Sequence, residues 1–143
     1  VKYLTKKGFD IVGHIGVNPQ KYKNFNKIRS VGKTQKESQS LISQAISLEK
    51  AGARLIVLEC IKKDLAKKIT NIIKIPTIGI GSSKYCDGQV LVINDILNID
   101  ADEKKPRFVK KYINLKKIIS AAIDSYTKDV KSKKFPSKKH TYL

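Results

Sequence analysis

The sequence contains no methionine, and its first residue is Val1. A chain without an initiator methionine is either a processed product or a piece of something longer. The second reading is preferred here, because Val1–Gly8 reads as the last turns of a helix, with Leu4 apolar and Gly8 suited to its stop. Cysteine is nearly as scarce, at two residues, Cys60 and Cys86. Two cysteines do not make a disulfide framework, so a reducing cytosol is the simpler setting. No apolar stretch approaches the length of a membrane span, and no signal peptide is visible. Acidic residues number 12 against 30 lysines and arginines, which sets the formal net charge at +18. So large a positive field draws polyanions nonspecifically. Only Arg29, Arg54 and Arg107 are arginines, and the lysines are spread over every helix. Both facts argue against a groove that reads bases or stacks on them.

What is present is ordinary for one globular domain spanning residues 1–143: 41% of residues are hydrophobic and 29% are charged, and this length can bury a real core. Short β-like runs alternate with helical patterns. Asp10–Ile15 ("DIVGHI") is the first strand. Thr34 and Glu37 form a capping box in "TQKE", and Leu41, Ile42, Ala45, Ile46 and Leu48 then recur at helical spacing until Gly52. Leu55–Cys60 is the second strand, followed by a helix at Asp64–Ile73 with Leu65, Ile69 and Ile72 on one side. Pro76 opens a third strand, "PTIGIG", and Gln89–Ile93 ("QVLVI") is the fourth. A polar loop covers Asn98–Arg107. Asn114–Val130 is the cleanest amphipathic helix, and the basic tail after it is expected to lack order unless docked. The strands read as apolar on both faces, which suits a parallel sheet covered by helices. Alternation of this kind predicts an α/β fold. Four strands make a small open sheet or half of an eight-stranded barrel, and periodicity alone does not choose.

The polar candidates gather at the carboxyl ends of the strands. His14 closes the first, Glu59 the second, Gly79, Gly81, Ser82 and Ser83 follow the third, and Asn94 and Asp95 follow the fourth. That edge is where parallel α/β proteins place their sites. Each residue also has a plainer reading. Glu59 could protrude into water, His14 could be a hydrogen-bonded structural histidine, and Asp95 could cap a turn. "GIGSS" lacks the glycine pattern of a dinucleotide loop and reads as a tight turn ahead of a phosphate cradle. Cys60 and Cys86 read as small buried residues, since no base neighbours them in sequence.

Together, "GHIGVNPQ", "AGARLIVLEC", "IPTIGIGSS" and "DGQVLVINDIL" resemble successive segments of the ketopantoate hydroxymethyltransferase family, in the same order and spacing. The resemblance implies a (β/α)8 TIM-type barrel in which these four strands are the fifth to eighth, with C-terminal helices beyond, so that the N-terminal half lies outside this chain. It implies transfer of a hydroxymethyl group from 5,10-methylenetetrahydrofolate to 3-methyl-2-oxobutanoate, giving 2-dehydropantoate for pantothenate synthesis, in a cytoplasmic homo-oligomer that uses Mg2+. By motif match Glu59 is the proton acceptor, and His14 lies near the keto acid, where it could donate to developing oxyanion charge. The family's Mg2+ ligands belong to the earlier strands, so none is assigned here. The chain departs from the family pattern where "GIGAG" becomes "GIGSS", and in the segment "KIRSVG" with Asn26, where glycine is common. A serine at position 83 would be strained if the loop needs positive φ there.

Two other readings stand beside the enzyme: a non-catalytic half-barrel remnant, and behind it a basic nucleic-acid-binding protein favoured by the charge alone. By itself the chain is expected to be inactive, with small-molecule substrates, no specific nucleic-acid partner and no membrane.

Overall fold

A computed structural model describes residues 1–21, 29–99 and 105–142. They divide into two compact units, one formed by the described residues up to 91 with 105–109, the other by residues 92–99 with 110–142.

The first unit is a parallel α/β layer pair. A short helix, α1 (Lys2–Lys6), ends as its sequence suggests. Gly8 N–H reaches the Thr5 carbonyl and Phe9 N–H the Leu4 carbonyl, which satisfies the carbonyls a helix end leaves open. Strands β1 (Val12–Gly16), β2 (Leu55–Glu59), β3 (Thr77–Ile80) and β4 (Gly88–Gln89) lie in the order β1-β2-β3-β4, every pair parallel. Helix α2 (Gln35–Lys50) crosses between β1 and β2, and α3 (Lys63–Ile72) between β2 and β3. The capping box forms as the "TQKE" spacing requires. Thr34 Oγ1 accepts from Glu37 N–H, and Glu37 Oε2 accepts from the N–H groups of Gly32, Lys33 and Thr34.

The sheet buries one face. Ile15, Ile56 and Leu58 meet Leu41 and Ala45 of α2 and Leu65, Ala66 and Ile69 of α3. On α3 the last core residue is Ile69, followed by the buried C-cap Ile73; Ile72, expected on that side, is exposed. Val12 and His14 of β1 are exposed, and Leu55, Val57 and Glu59 of β2 are half-buried. The strands are therefore apolar on two faces but covered by described helices on one only.

The fourth strand differs from the sequence reading. "QVLVI" pairs only through Gly88–Gln89, with Val90 N–H still bonded to the Gly79 carbonyl. Ile93 already starts a helix, α4 (Ile93–Leu97). A run of β-branched residues marks strand propensity, but the β3–β4 ladder ends at Gly79–Gln89, although β3 itself runs on to Ile80 beside β2.

The second unit contains α4 and α5 (Leu115–Lys131), the latter capped by Asn114 Oδ1, which accepts from Lys117 N–H. No residue of α5 is buried; Ile118, Ile119, Ile123, Tyr126 and Val130 all remain exposed along its apolar stripe. The basic tail turns back on this helix. Phe135 stacks edge-on against Tyr126 at 5.6 Å, and Ser137 Oγ pairs with His140 Nδ1 at 2.8 Å. No described helix is long and apolar enough to cross a membrane.

Candidate active site

Parallel pairing fixes where the two named polar residues meet. In the β1–β2 register His14 stands opposite Val57, and Gly16 opposite Glu59. His14 and Glu59 therefore share a face, two positions apart, because side chains alternate along a strand. Their side chains close that gap: His14 Nε2 lies 3.0 Å from Glu59 Oε2. An ionised carboxylate only accepts, so Nε2 carries the hydrogen of this bond. The two differ in surroundings. The His14 side chain is 41% exposed and that of Glu59 only 13%, so the carboxylate sits inward and the imidazole forms its open side.

The backbone behind Glu59 is tightly determined. Gly16 adopts φ 110°, and a Cβ there would collide with the Glu59 carbonyl oxygen, so β1 approaches this residue as only glycine allows. That carbonyl accepts from Val17 N–H at 3.0 Å. The next residue, Cys60, takes a left-handed φ of 52°, uncommon for a residue bearing a side chain. Its N–H donates to the Ile80 carbonyl and its carbonyl accepts from Val31 N–H, both at 2.9 Å. Strain of this kind persists only where its surroundings over-determine it, and it clusters at functional sites. The Cys60 thiol is buried, and desolvation, with the Glu59 charge next to it, pushes its pKa up to about 11. It is a packed side chain, not a nucleophile.

The "GIGSS" turn is spent on internal bonds. Ser82 Oγ donates to the Leu58 carbonyl at 2.8 Å and accepts from Ile61 N–H at 3.0 Å. Buried Ser83 accepts from Tyr85 N–H at 3.3 Å. Neither serine has positive φ; the left-handed residue is Gly81, and an added Cβ there would stand 2.6 Å from the Phe108 ring. The expected strain at Ser83 is therefore absent. Asn26 lies outside the described residues.

The remaining candidates lie elsewhere. Asn94 and Asp95 fall in α4, in the other unit, and not at a strand end. Cys86 packs in the core. Among the described residues no three His, Cys, Asp or Glu side chains are grouped to hold a metal ion. The Mg2+ that the resemblance implies has no such group of ligands among the described residues.

Three features escaped the sequence reading: Gly16 against Glu59, the left-handed Cys60, and the Ser82 bridge. Only Gly16 left a trace, as the second glycine of "GHIG" two residues beyond His14.

A parallel α/β sheet with a carboxylate and an imidazole joined at its carboxyl edge defines a class, the α/β proteins whose chemistry sits on the strand-end loops. Comparison narrows the class. The family model described as ketopantoate hydroxymethyltransferase matches residues 1–138. The chain is 49% identical over 140 residues to a 3-methyl-2-oxobutanoate hydroxymethyltransferase of Saccharolobus islandicus, covering 98% of this chain and 52% of that protein. It is 46% identical, with the same coverage, to proteins of that name from Saccharolobus solfataricus and Sulfurisphaera tokodaii. The chain belongs to the ketopantoate hydroxymethyltransferase family, and it spans about half the length of the curated relatives it matches.

Proposed function

We propose that this chain contributes the proton-accepting part of a 3-methyl-2-oxobutanoate hydroxymethyltransferase site. The observation that carries the reading is the inward Glu59 carboxylate bonded at 3.0 Å to His14 at the carboxyl edge of two neighbouring parallel strands. In the complete enzyme the four strands would be the fifth to eighth of a (β/α)8 barrel, in one domain with the residues beyond them. Mg2+ would take its ligands from outside the described residues. The enzyme would act in the cytoplasm as a homo-oligomer, without a specific nucleic-acid partner.

The chemistry assigned to these residues is removal of a proton from C3 of 3-methyl-2-oxobutanoate. The C–H bond breaks, the proton passes to a Glu59 carboxylate oxygen, and the electron pair moves into the enolate. The low exposure of Glu59 suits this role, because water is a poor neighbour for a general base that must compete for a weakly acidic proton. His14 Nε2–H holds the carboxylate in place and stands where it can follow charge as it moves to the substrate oxygen. The new carbon–carbon bond then forms to the one-carbon unit of 5,10-methylenetetrahydrofolate. With one water, this gives 2-dehydropantoate and tetrahydrofolate.

The test is deuterium exchange at C3 of the keto acid in D2O, followed by proton NMR without folate. In the complete enzyme Glu59→Gln should slow exchange by about 100-fold or more, the usual contribution of a positioned base, with the fold intact by circular dichroism. Undiminished exchange removes Glu59 from the role. No exchange in the parent complete enzyme favours the remnant reading instead.

A further inference from the structure

The bridge made by Ser82 has a consequence for Glu59. Its hydroxyl bonds at once to the Leu58 carbonyl (2.8 Å) and to the Ile61 N–H (3.0 Å), the residue before Glu59 and the residue after Cys60. The two contacts bracket the Glu59–Cys60 pair. Within that bracket lies the left-handed Cys60, a conformation that relaxes toward ordinary backbone unless it is held. The other bonds to the backbone of this turn among the described residues come from the backbone of different segments: Val17 to the Glu59 carbonyl, Ile80 to the Cys60 N–H, and Val31 to the Cys60 carbonyl and Lys62 N–H. Among the described residues Ser82 is the one that bonds the backbone of this turn through a side chain, so one substitution removes both contacts and leaves the backbone bonds in place. Ile61 is buried, so its N–H has no ready water to replace a lost acceptor.

We infer that Ser82 is a positioning residue for Glu59: its hydroxyl clasps the left-handed turn and so fixes where the carboxylate meets His14. This rests on the reading of Glu59 as the base. Ser82 does not touch substrate in this role. It acts only through the turn.

The experiment uses the 143-residue chain and no activity, so its outcome is separate from that of the exchange assay. Ser82→Ala and Ser82→Thr are prepared with nitrogen-15 label. In Ser82→Ala the Ile61 amide should exchange with solvent about tenfold faster, as expected for one lost hydrogen bond. The His14 Nε2 resonance should also move toward its position in Glu59→Gln, although no bond joins Ser82 to His14. Ser82→Thr, which keeps the hydroxyl, should restore both signals. A merely structural serine would speed exchange at Ile61 and leave His14 Nε2 unmoved, and that result overturns the inference. An Ile61 amide unaffected by Ser82→Ala overturns it too.

Discussion

Cys60 bears a side chain in a backbone region that favours glycine, and its thiol is buried beside a carboxylate. Both features concern protonation and geometry at one point. Burial penalises the thiolate, so the folded value lies about 11, above the 9.0 of an exposed thiol. The sign follows: this group's contribution to stability is complete below the unfolded value and is lost as pH rises through the folded one. Iodoacetamide at pH 8 should therefore label Cys60 slowly in the folded chain and readily once urea unfolds it, read by peptide mass; equal rates would show the thiol open. Gly16 is the steric counterpart on β1. Gly16→Ala would place a methyl group against the Glu59 carbonyl at a φ of 110°, so we expect a loss of about 1–3 kcal/mol in urea unfolding. A loss within experimental error would mean that β1 can shift aside.

At the scale of elements, the capping box and the helix ends were legible because their signals are local: Thr34 and Glu37 stand three apart, and Gly8 and Gly52 directly follow their helices. Glu59 was legible as a strand end for the same reason, whereas β1 runs two residues past His14, to Gly16. What joins elements was not. Thr77, fully buried at the start of β3, donates its N–H at 2.8 Å and its hydroxyl at 3.0 Å to Asp87 Oδ2, and its Oγ1 pairs with Thr70 Oγ1 at 2.9 Å. These partners lie 7 and 10 residues away, a separation with no periodic signature. The short fourth strand was misread for a related reason: "QVLVI" states a propensity, while its length is set by how far it pairs with β3, a pairing that ends at Gly79. The Asp87 network has its own pH signature. The Thr77 backbone N–H, foremost, and its hydroxyl hold the Asp87 carboxyl below the ordinary aspartate range. Its stabilising effect is present above the unfolded value and is lost as pH falls through the folded one. Urea midpoints should fall between pH 6 and pH 3 in the parent, and fall less in Asp87→Asn; parallel declines would leave Asp87 without a part. In α2, Thr34→Ala should cost about 1 kcal/mol by the same measurement.

For the whole molecule, charge is the property that composition states most loudly and that the site uses least. The 30 basic and 12 acidic residues leave a surplus of 18, yet the candidate site is one carboxylate and one imidazole. Among the described residues Arg54 pairs with Asp10 at 2.8 Å on the exposed surface, and His14 bonds Glu59. Several lysines lie over tyrosine rings, Lys67 at 4.4 Å from the Tyr85 centroid and Lys110 at 4.8 Å from that of Tyr112. Contacts of this kind dispose of single charges without building a groove. A field with no reading element behind it should bind polyanions through counterion release alone. We therefore expect duplex DNA of any sequence to bind equally at low salt. Binding through six to ten phosphates weakens by about 10^3–10^5-fold between about 50 and 200 mM salt, so little should survive at the upper end. Fluorescence anisotropy with two unrelated duplexes measures this directly. Preference for one duplex, or retention at 200 mM, would restore nucleic acid as a partner and require a surface that the strand-end site does not explain.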